Sequence, residues 1–132
     1  MFTKSERSTF PYWFAHWAAF QMTALNHNCW KPRFLFHDME KPFLMMIWKD
    51  YDRVHNWHRK HNKHHIEYYL KHGKADWVAM AVDWECSRFT KESCPLNAYE
   101  EYLRKILKHP EYKEFLTENL LPVLRKYKFE EK

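Results

Sequence analysis

Glycine is almost missing from this chain: Gly73 is the only one in 132 residues. Loops that cradle phosphate on bare backbone need several glycines, so that class of nucleotide-binding motif is excluded. Turns that require positive φ are scarce for the same reason. Cysteine is sparse as well. Cys29, Cys86 and Cys94 are odd in number and none stands in a Cys-x-x-Cys pair, which excludes a disulfide framework and leaves a reduced, cytosolic setting as the expectation. Long apolar runs are also missing. Phe43 to Trp48 is too short to span a membrane, and the N-terminal apolar stretch is broken by His16, Gln21 and Asn26. Met1 to Phe10 has no apolar region of the secretory kind, so no signal peptide is expected. The Gly-x-Ser-x-Gly of serine hydrolases does not occur. A Cys-His nucleophile stays open.

What is present is aromatic, helical and mildly basic. Phe, Trp and Tyr make up 19% of the residues, enough to fill a core without staples. Few valines or isoleucines accompany the many long side chains, which favours helix over strand. The net charge of +5 suits an anionic ligand. It is spread along the chain with no arginine-rich arm and no zinc-finger spacing, so dedicated nucleic-acid binding is not expected. No repeat, linker or low-complexity tract divides the sequence. The expectation is one all-α domain over residues 1–132, of about six or seven helices, with residues 1–8 and 128–132 frayed.

The helices can be placed from spacing and caps. Thr9 and Pro11 open a first helix through Trp13, His16, Trp17, Phe20 and Ala24, ended by Asn26-His27-Asn28. A helical piece from Lys31-Pro32 leads to His37-Asp38, and a short apolar segment follows Pro42. A helix is expected over Tyr51 to Lys60. Asn62 is expected to cap the next one, Lys63 to His72, which Gly73 stops. Ala75 to Phe89 has the widest apolar face and reads as the central helix. Ser93-Cys94-Pro95 reads as a loop. Asn97 to Lys108 is amphipathic, and Glu111 to Tyr127 is a last helix with a bend expected at Pro122.

Against this apolar background the histidines and aspartates stand out. Asp83 lies on the central helix beside Ala79 and Met80, where an unpartnered carboxylate would be costly, so a metal, a histidine or an arginine must meet it. His16 faces Tyr12, Ala19 and Phe20 one turn away. His37-Asp38 ends an apolar run, and at a helix end two adjacent side chains can share one ion or bridge two. His58, His61, His64 and His65 cluster around Asn62. Imidazole and carboxylate are the ligand types of zinc, iron and manganese.

The order His16, His37-Asp38, His58, His64-His65, Asp83 resembles that of the HD-domain superfamily, all-helical metal-dependent phosphohydrolases. It is similar above all to a small bacterial and phage family of unknown function. The stretches that carry the likeness are His37 to Phe43, Asn62 to Tyr69 and Met80 to Trp84, with His16, within about residues 12 to 90. The resemblance implies His16, His37, Asp38 and Asp83 as core ligands, with His58 and either His64 or His65 completing a second position. One or two divalent ions are implied: zinc, manganese, nickel, magnesium or iron. It implies Lys41 near substrate phosphate, although Glu40 stands where the superfamily has a small residue. The expected catalytic groups are His58, Lys41 and His61, acting on a nucleotide or other small phosphate ester. Alternatives are a di-iron oxygenase of the same type or a non-catalytic module that binds a nucleotide or a protein.

Overall fold

In the computed structural model, which describes residues 2–91 and 96–129, the regular elements are helices. The expected loop at Ser93-Cys94-Pro95 and the tail beyond residue 129 lie outside the described residues. Among the described residues seven α-helices follow in order: α1 Phe10–Asn26, α2 Glu40–Trp48, α3 Tyr51–His61, α4 Ile66–His72, α5 Trp77–Thr90, α6 Ala98–Lys108 and α7 Lys113–Lys126. None is long and apolar enough to cross a membrane.

Their ends follow side-chain chemistry. Thr9 Oγ1 accepts from Tyr12 N–H at 3.4 Å to open α1, and Pro11 sits in the first turn. Asp76 opens α5 by accepting from Ala79 N–H at 3.1 Å, and Arg33 reaches the same carboxylate through two nitrogens at 2.8 and 3.1 Å. Asn97 and Glu100 form a reciprocal cap for α6. Gly73 ends α4 at φ 73°, the left-handed geometry that favours glycine.

The core sits around α5, which packs on α1 on one side and on α6 and α7 on the other. Met80, Ala81, Val82 and Cys86 are fully buried there. Leu116, Leu120 and Leu124 form the inner stripe of α7 at a spacing of four. α7 runs through Pro122 without ending. Two expected boundaries move. Asn62 does not cap α4; it closes α3, and α4 begins at Ile66 with His65 before it. The apolar segment after Pro42 is helical, as α2, yet none of its residues is buried.

Contacts tie Phe2 and Phe129, near the two ends of the described residues, to the helices. Phe2 N–H donates to Thr90 O at 2.9 Å and its ring meets Tyr12 edge-on. Phe129 is buried and stacks on His27 at 4.0 Å. Aromatic burial holds both segments against the helices.

Leu120 lies at full burial among well-packed neighbours. Leu120→Ala is expected to cost about 2–5 kcal/mol of unfolding free energy, read from the midpoint shift in urea. A variant within experimental error of wild type would show that α7 is not part of the core.

Candidate metal centre

Four separate segments bring imidazoles and carboxylates to one point. α1 supplies His16, the turn before α2 supplies His37 and Asp38, and α5 supplies Asp83. The C-terminal half of α3 and the turn after it supply His58 and His64. All six side chains are buried. Asp38 holds the left-handed region at φ 57°. Aspartate tolerates that region better than most residues, and such strain collects where function demands a fixed direction.

The Asp38 carboxylate divides the donors into two groups. Its Oδ2 lies 3.3 Å from His37 Nε2 and 3.6 Å from His16 Nε2. His16 Nε2 is 2.9 Å from Asp83 Oδ1 and 3.4 Å from His37 Nε2, and His37 Nε2 is 3.5 Å from Asp83 Oδ1. The other oxygen, Oδ1, lies 2.9 Å from His58 Nε2 and 3.3 Å from His64 Nε2. Those two nitrogens are 3.2 Å apart. Donors placed at about 2.1 Å from one ion in a tetrahedron stand about 3.4 Å from each other. Both groups therefore have the spacing of a first coordination sphere. Asp38 Oδ1 is buried without an aligned hydrogen bond despite its two near imidazoles. An oxygen left so inside a protein is costly unless a cation meets it.

Electrostatics hold the acceptors ready. Burial alone would raise the Asp38 carboxyl, but His37, Lys41 and His58 together hold it well below the usual carboxylate range. Asp83 is likewise held down against burial by hydrogen bonds from His16 and His37. Burial pushes His37 down to about 4 and leaves it a neutral ligand type. Cys86 lies near, with Sγ 3.9 Å from His16 Nδ1. Burial and the Asp83 charge push its thiol well up, and with His16 and Asp83 it forms a further buried group that could hold an ion.

No family model matches this chain, and no curated protein or solved structure matches it either. Buried groups of histidine, aspartate and cysteine that could hold a metal ion are present, among them His16-His37-Asp38 and His58-His64-His65.

His16, His37, Asp38, His58, His64 and Asp83, all expected ligands, come together. Of the adjacent pair, His64 reaches Asp38 while His65 stands one ring further out, 4.3 Å from His64 between centroids. Lys41 joins them, with Nζ 3.5 Å from Asp38 Oδ2. His61 does not. It is exposed, stacks on Trp57 at 4.2 Å and donates from Nδ1 to Trp57 O. It stands at the last position of α3, in solvent, and is not among the residues brought together at Asp38. His58 itself is fully enclosed and borders neither cavity, which suits a ligand and not a group that meets substrate.

One contribution was not foreseen. Glu40 accepts from His58 Nδ1, and Asn62 donates to Glu40 at 2.8 Å and to His58 O at 2.9 Å. This clamp fixes which His58 nitrogen faces Asp38, the usual work of a carboxylate behind a ligating imidazole. The only signal in sequence was the substitution at position 40 itself. His55, another histidine of the same stretch, lines a cavity beside the centre with Nδ1 unpaired among the described residues, and burial pushes it down to about 3.

Two cavities open from the centre. Both touch His16, Asp38, Lys41 and Tyr51. One, of about 370 Å³, is an apolar slot among α1, α2 and α3, walled by Phe10, Trp13, Pro42, Met45, Met46 and Val54. The other, of about 410 Å³, is a basic cleft between α3, α5 and α6.

His37→Ala or Asp83→Ala is expected to lower bound metal and melting temperature together, since ligand that binds only the native state stabilises it by mass action. Element analysis with calorimetry reads both, and two variants that keep metal and melting point would remove the centre. A pH series on the metal-free protein gives a second check. His37, His55 and His65 stay neutral in the fold below the ordinary histidine value of 6.5, while the unfolded chain takes their protons. Their contribution to stability is complete above about 6.5 and is lost as pH falls toward 4. His58, held up by Asp38 and Glu40 against burial, opposes this alone. Net stability therefore falls across that window, and a flat or rising profile would contradict it.

Proposed function

We propose that this chain is a metal-dependent phosphohydrolase of the HD type. The observation that carries the reading is Asp38, whose two oxygens face two separate sets of imidazoles next to a cationic cavity. The ligand order along the helices, with His16 first, the His37-Asp38 pair next and Asp83 last, supports it. A divalent ion supplies Lewis acidity to a phosphoryl oxygen and to a water when bound. His16, His37, Asp83 and one Asp38 oxygen hold the first position; His58, His64 and the other oxygen hold the second.

The remaining groups act on substrate. Lys41 borders both cavities beside Asp38. Asp38 and Tyr51 hold its amine charged against burial, so it meets phosphate as a point charge. His65 borders the cleft with Nε2 unpaired among the described residues. Neutral in the fold, it orients the attacking water as a hydrogen-bond acceptor, a role His58 cannot take from inside the wall. The cleft is lined by seven lysine and arginine side chains against four carboxylates. That excess favours a phosphate ester over dioxygen, which has no charge to meet.

The assay is phosphate release from a panel of nucleotides and simple esters with zinc, manganese, nickel or magnesium. His65→Ala is expected to keep metal at the first position and lose about 10²–10⁴-fold in kcat. His58→Ala is expected to lose metal, and His61→Ala to resemble wild type in both. Metal-loaded protein that cleaves no phosphate ester would end this reading.

A further inference from the structure

The two cavities differ in chemistry but share one wall, and a substrate that fills both must differ at its two ends. The slot presents mostly apolar surface, from Met45, Met46, Phe10, Trp13 and Val54, although Ser8, Thr9, Tyr12 and Tyr51 also line it; such a lining suits hydrocarbon better than a nucleobase. The cleft presents Arg59, Lys91, Arg104, Lys105 and Lys108. Glu67 pairs with Arg59 at 3.6 Å, and Glu101 with Arg104 and Lys105 at 3.0 and 3.7 Å. Those pairs take up Glu67 and Glu101 together with Arg59, Arg104 and Lys105, and the other two carboxylates, Asp38 and Asp83, belong to the centre. Lys91 and Lys108 also line the cleft, so outside the centre these five cations stand against two carboxylates. Between the two cavities stand Asp38, His16 and Lys41.

We infer that the substrate is a diphosphate ester of an apolar alcohol. Its hydrocarbon lies in the slot, its inner phosphorus at Asp38 and Lys41, and its outer phosphate in the cleft. This rests on the phosphohydrolase reading and names its substrate class. Water adds its oxygen to the inner phosphorus, and the bond from that phosphorus to the bridging oxygen breaks. The outer phosphate leaves with the electron pair, and one proton of the water is released. The products are the alkyl monophosphate and inorganic phosphate. Cleavage on this side follows from where charge develops: the cations of the cleft meet a departing phosphate.

The test uses the full chain loaded with metal and measures phosphate release from ethyl, pentyl and decyl diphosphate and from ADP. Burial of each methylene predicts a gain in kcat/KM of about three- to fourfold until the slot is full, with ADP below decyl diphosphate. Met45→Trp, which fills the slot, lowers the decyl-to-ethyl ratio. Arg104→Glu with Lys108→Glu lowers turnover of decyl diphosphate more than of decyl monophosphate. Hydrolysis that is indifferent to chain length, or that favours ADP, overturns the inference and leaves the phosphohydrolase reading intact. If no ester is cleaved, that reading fails, and calorimetry with decyl and ethyl methylenediphosphonate decides the ligand class. Tighter binding of the decyl compound supports the inference, and equal binding overturns it.

Discussion

One carboxylate, that of Asp38, joins the parts of this molecule that would otherwise have no reason to meet. Its two oxygens face imidazoles from α1, from the turn before α2, from α3 and from the turn after α3. Reaching both sets requires a backbone direction that an ordinary extended or helical residue does not give, and φ at Asp38 is accordingly positive. The Trp13 indole N–H donates to Asp38 O at 2.7 Å, so α1 holds this turn as well as facing it. Two buried carboxylates and several imidazoles could not persist here unpaired. Their mutual arrangement is the condition under which the polar interior and the apolar core around α5 coexist.

The helices were legible because their signals are local. Thr9, Asn97 and Gly73 act within one turn of themselves, and α1, α5 and α7 carry apolar stripes at helical spacing. The ligand candidates were legible for a related reason: a charged or polar side chain on an apolar face needs a partner, and Asp83 and His16 announced that need. Asn62 misled because an asparagine before a helical run has the same appearance whether it opens the next helix or closes the last. Only the third dimension places Glu40 within reach of Asn62 and His58. His61 misled because a position three residues from His58 shares its side of a helix, yet α3 ends there and the ring lies in solvent against Trp57.

The charge pattern around the centre has a direction. Carboxylates are concentrated at the buried end, where burial is offset by imidazoles and by Lys41. Lysines and arginines are concentrated at the open end along α3 and α6. A field arranged in this way draws an anion inward and stops it at the wall that the two cavities share. The apolar slot on the far side of that wall is the complement of the cleft, since hydrocarbon gains from leaving water where charge would lose.

α2 carries this arrangement on slender support. It supplies Glu40 behind His58, Lys41 beside Asp38, and Pro42, Met45 and Met46 in the slot, yet no residue of it is buried, and Phe43, Met46 and Ile47 stand mostly in solvent. A segment with so little burial opens at a small fraction of the global unfolding free energy. Its amides should exchange with deuterium well before those of α5. The same breathing that loosens α2 would widen the slot without disturbing the helices that carry His16 and Asp83, so access and architecture are governed by separate parts of the chain.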